Sequence, residues 1–499
     1  MITRSTGLAG VVLVAAACGS DALSEGTEGE ADGAVATDAA VDPATSPTAG
    51  QPAVIDPDSI PRGEVIDFGS APDVPDGPLS DEIAAAVAVL YGQPLVARLS
   101  EDQLDAIDIL GSSGDPRVGW LLSDHLRVNV TLAQLGALTR PEFFESQDRL
   151  EAAAAELAGI QFEELRGWNP FTSTLIAWDI PEPPDYLARK RNIYTPVEPA
   201  WEALMTDNHQ LDWRIISWGG VLIDNRPFDT TDDPCSCIPA ADNPTFLTAD
   251  EAQWPADDSV IFGVVINGEA RAYPRPIMEV REMVNDTLGG RDFAMPYCTL
   301  CGAAQVWFTD DLPNGLERPI LRTSGLLSRS NKVMYDLNTN SIFDTFRGTA
   351  DSGPLFDEGV ALTGHTVVTS TWGAWKEEHP DTTVLTEDLA LGRDPDFRNN
   401  RDADGPIFPI GNVDPRLAIQ EDILGVIQTD GRPLAIHVNS ATSALSRGEI
   451  IEIGDDVQVV SSGDGVIALD GDGNEIAAHQ AFWFAWSQFY PSTQLWPDV

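Results

Sequence analysis

Ser259-Val260-Ile261-Phe262-Gly263-Val264-Val265-Ile266, then Asn267-Gly268, then Glu269-Ala270-Arg271-Ala272-Tyr273: this stretch decides the fold class of the larger part of the chain. The first run is rich in β-branched residues and reads as a strand. Asn-Gly is the favoured two-residue hairpin turn, because both central positions take positive φ. The third segment is the return strand. Residues 276–286 then read as a short helix with Ile277, Val280 and Val284 on one face. In such a helix Glu282 and Asp286, four apart, share a face. Further strands are expected over 292–297, 303–309, 320–326, 332–337 and 341–347, the last two joined by Asn338-Thr339-Asn340. An echo of the opening hairpin lies downstream. Gly263 to Ile266, with Gly268 and Ala272, is matched by Gly425-Val426-Ile427 with Gly431 and Ala435, at a spacing longer by one. If the echo is a true repeat, two related β units pack together and only the first carries a cysteine pair.

Upstream the periodicity changes. Leu104, Ile107 and Leu110, then Val118, Leu121 and Leu122, recur at helical spacing, and Asp115-Pro116 supplies a cap and a first-turn proline to the second helix. The segment 104–126 is similar to one unit of a HEAT-type repeat, and a small helical bundle accounts for it equally well. The expected architecture is α+β: an α-helical domain over 79–214, HEAT-like or a small bundle, followed by a β-rich mixed domain over 215–499. The proline-rich stretch 181–199 leads out of the helices.

The N-terminus reads as an export signal. One basic residue, Arg4, precedes an apolar run from Leu8 to Ala17 that is too short to span a bilayer. Ala15-Ala16-Ala17-Cys18 resembles a lipobox, with Ala15 where leucine is usual. Residues 1–17 are thus expected to be a signal peptide and Cys18 the lipidated first residue of an extracytoplasmic, membrane-anchored protein. Residues 18–78, acidic, Gly-rich and nearly free of aromatics, are expected to form a disordered tether.

The charge is strongly one-sided: 79 acidic against 29 basic residues, a net of −50 in 499. Phosphate backbones would be repelled, so nucleic acid is excluded as a partner class. The sequence has no Gly-rich phosphate loop, Gly-x-Ser-x-Gly elbow, HExxH helix or EF-hand loop, so no nucleotide or flavin cofactor is indicated. The expected partners are a membrane, through lipid, and a protein docking on the helical domain.

Apart from Cys18 there are two close cysteine pairs, Cys235/Cys237 and Cys298/Cys301. Cys298-Thr299-Leu300-Cys301-Gly302 lies between two expected strands. Three chemistries stay open for it. A redox-active dithiol would use nearby positive charge to favour a thiolate. A metal knuckle would aim both sulfurs at one zinc, iron or copper ion, with Cys235 and Cys237 able to complete a four-sulfur site. A structural disulfide would leave the chain a non-catalytic binding or scaffold module. Cys298, Cys301, Glu282 and Arg271 are the candidate catalytic set, with Tyr273, Asn285, Asp286 and Ser324 as polar neighbours. His365, His379 and His437 are scattered and read as hydrogen-bonded residues rather than ligands.

Several of these motifs, in this order, resemble the bacterial family called domain of unknown function 3179. They are Asn267-Gly268-Glu269-Ala270-Arg271-Ala272-Tyr273-Pro274, Glu282 with Val284-Asn285-Asp286, and Tyr297-Cys298-Thr299-Leu300-Cys301-Gly302. Ser324-Gly325-Leu326-Leu327, Val333-Met334-Tyr335-Asp336, His379-Pro380-Asp381 and Phe482-Trp483-Phe484-Ala485-Trp486 continue the series. The likeness covers about 215–499. It implies a secreted or lipid-anchored protein without an assigned activity. Relatives with selenocysteine in place of a cysteine imply thiol redox chemistry. Two positions depart from the family pattern. Arg281 stands where a histidine is usual, and Cys235-Ser236-Cys237 stands where Asp-Gly precedes Ile238-Pro239.

Overall fold

The computed structural model describes residues 51–160, 167–230, 235–386, 406–454 and 456–498. The expected signal peptide over 1–17, Cys18 and the expected tether up to residue 50 lie outside the described residues. No described helix is long and apolar enough to cross a membrane.

The helical part runs from Asp81–Tyr91 to Tyr186–Tyr194 and contains the expected pair, Glu101–Gly111 and Gly119–Leu135. Asp115 caps a short 3-10 turn, Pro116–Val118, that leads into the second of these, and its carboxylate also grips Arg117. The helices do not close a core of their own. Leu121, Trp201 and Trp213 pack in one continuous cluster with Ile216, Leu326, Val333 and Tyr335 of the first sheet. The boundary expected at 214 therefore falls inside a shared hydrophobic core, and the chain is α+β with helices and sheet fused.

Among the described residues the β part forms five sheets, of four, six, five, four and four strands. The opening hairpin is present as Val260–Ile266 and Glu269–Pro274, with Asn267 at φ 51° and Gly268 at φ 84°. The expected helix over 276–286 is shorter. It spans Arg275–Arg281 and stops because Glu282 takes the left-handed conformation at φ 51°. Met283–Leu288 is a strand, so Glu282 and Asp286 share no helix face.

The echo in the sequence is a structural duplication. Gly263 pairs with Ala272, and Gly425 with Ala435, at the same place in each hairpin. A third strand adds antiparallel to the first, placing Val368 opposite Gly263 and His479 opposite Gly425. A fourth adds parallel to the second, Val384 on Ala272 and Leu495 on Ala435. In both copies a tryptophan lies against the glycine, Trp375 and Trp486, and donates to a threonine seven residues on, Thr382 at 3.0 Å and Thr493 at 2.8 Å. The segment between second and third strands of the first copy contains Cys298 and Cys301. The second copy has a small four-stranded sheet there.

Residues 51–78 correct the expected tether. Ala53 N–H donates to Ile450 O and Ile450 N–H to Gln51 O. Gly63 and Pro61 bond to Pro415 and Ala418, and Ile60 is buried with Leu417 and Trp483. This stretch is a strap across the body. Composition missed it because a few anchoring residues suffice when the body supplies the partner surface.

Candidate functional site

Cys298 ends the strand Arg291–Cys298, and Ala303–Ala304 turns back against it, Cys298 opposite Ala303. Cys301 N–H closes the turn on Cys298 O at 3.1 Å. Gly302 sits at φ 61°, and a Cβ there would come within 3.0 Å of the Phe482 ring, so both backbone and packing require glycine. The two cysteines are joined by a disulfide with Cα atoms 5.3 Å apart. Both are buried, at 2% and 0% exposure. Ser330 O lies 3.7 Å from Cys301 Sγ, so a reduced thiol there has an acceptor.

Glu282 belongs to this turn. Its carbonyl accepts from Tyr297 N–H, one residue before Cys298. Its carboxylate accepts from the Thr299 hydroxyl at 3.2 Å and from Lys332 Nζ at 2.6 Å. Lys332, on the strand Asn331–Asp336, is itself buried and lines a cavity of about 250 Å3 with Asn331, Asp344 and Arg347. A buried carboxylate–ammonium pair thus touches Thr299, the residue after Cys298, and connects it to an open space.

Arg271 and Asp286 are elsewhere. Arg271 Nη1 binds Asp286 at 2.7 Å, its guanidinium lies 3.8 Å from the centre of the Phe246 ring, and Tyr273 OH donates to the same carboxylate at 2.6 Å. Burial, then the Asp286 charge, holds the Tyr273 phenol well above its usual pKa, so it stays a donor. Asp286 faces Phe293, five residues from Cys298 along the strand, or roughly 17 Å. The structure does not bring Arg271, Tyr273 or Asp286 to the sulfurs. Asn285 is a buried clamp between Asp242 and Leu321, and Ser324 bonds to Val333 O within its sheet. His365 bonds to Val265 O, His437 bridges Glu421 and Ser440, and His379 lies on Trp375. Phe482 to Trp486 are core.

The four-sulfur site does not form. Cys235 and Cys237 are a second disulfide, and the metal-capable group they enter, among the described residues, contains Asp224 rather than Cys298 or Cys301. Asp224 fits a metal poorly. Its oxygens already accept from Arg226 at 2.7 and 2.9 Å and from Ala240 N–H at 2.9 Å. Beside it, Asp242 holds the fully buried Arg322 through both Nη atoms. This acid–arginine network ties the Cys235 loop to the sheets.

Lys332 was not among the sequence candidates. Its one signal is its place directly before the apolar run Val333-Met334-Tyr335 of an expected strand, where a buried charge needs a partner.

Residues 235–463 match the model of a family described as "Protein of unknown function (DUF3179)". This part of the chain, a little under half of it, is similar to that family. The DUF3179 region contains both cysteine pairs, Glu282, Lys332 and the hairpins of both copies, and stops short of Trp483 and Trp486. No curated protein and no solved structure matches the chain.

Proposed function

We propose that the protein is a thiol–disulfide redox protein, anchored outside the cytoplasm by lipid on Cys18, with Cys298 and Cys301 as its reacting pair. The observation that carries the redox reading is the Lys332–Glu282–Thr299 chain, which ends on one of the two residues between the cysteines. Burying two charges is unfavourable, and a purely structural cross-link needs neither. A substrate thiolate would attack one sulfur, breaking the Cys298–Cys301 bond and forming a mixed disulfide. A second substrate thiolate would then displace the protein cysteine. The substrate leaves oxidised, and the protein holds two thiols and the two electrons. Glu282, bridged to Lys332, would supply the proton that the departing thiolate takes up, with Thr299 as the relay.

Burial of both sulfurs favours a rival, a structural disulfide. Thiol titration of the purified chain in glutathione buffers of graded potential separates the two. Reversible two-thiol equilibration of the folded protein, lost in Cys298→Ser, supports redox function. A pair that reduces only on unfolding overturns it. Elemental analysis of the same sample tests the metal alternative at either pair. The anchor is tested by Cys18→Ala, which should free the protein from the membrane fraction or leave its precursor uncut.

A further inference from the structure

The cavity of about 250 Å3 has three cations on its walls, Lys332, Arg347 and Arg329. Glu282 holds Lys332, and Arg347 donates to Asp344 and to Phe489 O. The Arg329 guanidinium has no hydrogen-bond or ion-pair partner among the described residues. Asp212 and Asp179 act on its charge from a distance, but Arg214 binds both, at 2.7 and 2.9 Å, and Arg214 repels Arg329. Arg329 is half-buried, and its nitrogens are not among the closed-off polar atoms of the fold, so they stay open to a molecule in the cavity. Burial pushes its pKa down, as it does for any cation held away from water, and arginine stays protonated even so. The backbone adds an independent observation. Arg329 and Ser330 form the two-residue turn between Leu321–Ser328 and Asn331–Asp336, with Ser328 opposite Asn331. Arg329 sits there at φ 55°, where glycine or asparagine is favoured and a long side chain is strained. No contact within the fold uses the guanidinium, so a strained arginine at this place points to binding.

We infer that this cavity binds a small organic monocarboxylate, paired with Arg329. The guanidinium fork fits the two oxygens of a carboxylate through parallel hydrogen bonds. A single charge follows from the other walls. Asp212, Asp344 and Asp351 line the same cavity, and repulsion from Asp351 helps to raise the pKa of Asp344. A phosphate or sulfate dianion would meet that acidic wall with twice the repulsion, whereas one negative charge is matched by the one cation left without a partner. An organic body follows from Leu211, Ile215 and Phe489, half-buried apolar side chains that line the cavity and can cover a hydrocarbon part. The volume lies below the roughly 300 Å3 at which drug-sized pockets begin, which limits the ligand to about one ring or a short chain. The site goes beyond the thiol reading and does not depend on it.

The test uses the full chain at neutral pH, with benzoate and butyrate as probes, benzamide as the uncharged match of benzoate, and sulfate as a dianion. Calorimetry or ligand-observed NMR should show saturable binding of benzoate or butyrate, with benzoate about tenfold or more tighter than benzamide. Arg329→Gly removes the fork and relaxes the turn, so this variant should unfold no earlier than the parent and yet bind the carboxylate about tenfold or more weakly. Arg329→Gln, neutral and closer in length, provides a second variant should the first not fold. Cys298→Ser should bind as the parent does, so failure of the thiol reading leaves this result standing. The inference is overturned if neither carboxylate binds saturably up to the order of 10 mM, if benzamide binds equally well, if sulfate displaces benzoate at equal concentration, or if the folded Arg329 variants bind unchanged.

Discussion

Thr299, between the paired cysteines, donates its hydroxyl to Glu282 at 3.2 Å, and the same carboxylate takes Lys332 Nζ at 2.6 Å. Glu282 and Lys332 are both buried, so the pair is coupled through a medium that screens little. Lys332→Met removes the cation from a buried carboxylate and should lower stability by roughly 3–5 kcal/mol. Adding Glu282→Gln should recover part of that loss, since a neutral amide needs no counter-charge. Denaturant melts of the two single variants and the double variant measure the coupling, and strictly additive losses would show that the two side chains do not act together.

Legibility of the fold followed the range of the interactions. The Asn267-Gly268 hairpin and the strand-turn-strand setting of Cys298 were readable because their geometry is local. The duplication was readable from glycines at matched positions, and its cause is now visible: each glycine makes room for a tryptophan ring. The helix through Glu282 was misread because Val280 and Val284 suit a helical period, and nothing local marks a glutamate that adopts positive φ. Lys332 reaches Glu282 across 50 residues, a contact that spacing cannot reveal. Arg271 and Asp286 were placed near the cysteines from closeness in sequence, but an extended strand carries them away.

The duplicated glycine sockets can be tested directly. A Cβ on Gly425 would lie 2.2 Å from the Trp486 ring, and one on Gly263 would lie 2.4 Å from Trp375. Gly425→Ala and Gly263→Ala should each destabilise by about 1–3 kcal/mol through overpacking. Trp486→Leu combined with Gly425→Ala should cost less than the sum of the single changes, because the ring that clashes is gone. Thermal or urea unfolding supplies the comparison, and a Gly425→Ala variant as stable as the parent would contradict the packing described.

Asp344 gives a signed dependence on pH. Burial, opposed by Arg347, pushes its carboxyl from 3.8 up to about 6, and its side chain is only 6% exposed. With the folded value above the unfolded one, the native state binds this proton more tightly. The contribution to stability is therefore fully present below about pH 4 and is lost as pH rises through about 6, for a total of roughly 3 kcal/mol. Asp344→Asn keeps an oxygen for the Phe346 and Arg347 N–H groups and does not titrate. Its stability relative to the parent should rise between pH 4 and pH 7. A difference that stays flat across that range would mean that Asp344 is ionised in the fold at low pH.

The strap over 51–78 leads to a prediction opposite to the one its composition suggests. Besides its strand-like bonds to Ile450, it gives Arg117 a carbonyl at Gly77, 2.7 Å from Nη1, and gives Trp178 Nε1 one at Phe68, 3.0 Å away. Ile60 is 4% exposed, and burying such a side chain is worth about 1.5–3 kcal/mol before the ordering entropy of the strap is set against it. Two chains are compared, one beginning at residue 51 and one at residue 79, so that only the strap differs. The shorter chain should be less stable by roughly 2 kcal/mol, with new protease sensitivity near Ile450 and Pro415, where the strap's partners become uncovered. Ile60→Asp in the longer chain should reproduce part of that loss, because it places a charge among Leu417, Trp483 and Phe484 without removing any backbone. Equal unfolding midpoints for the two chains would return this segment to the role of a tether.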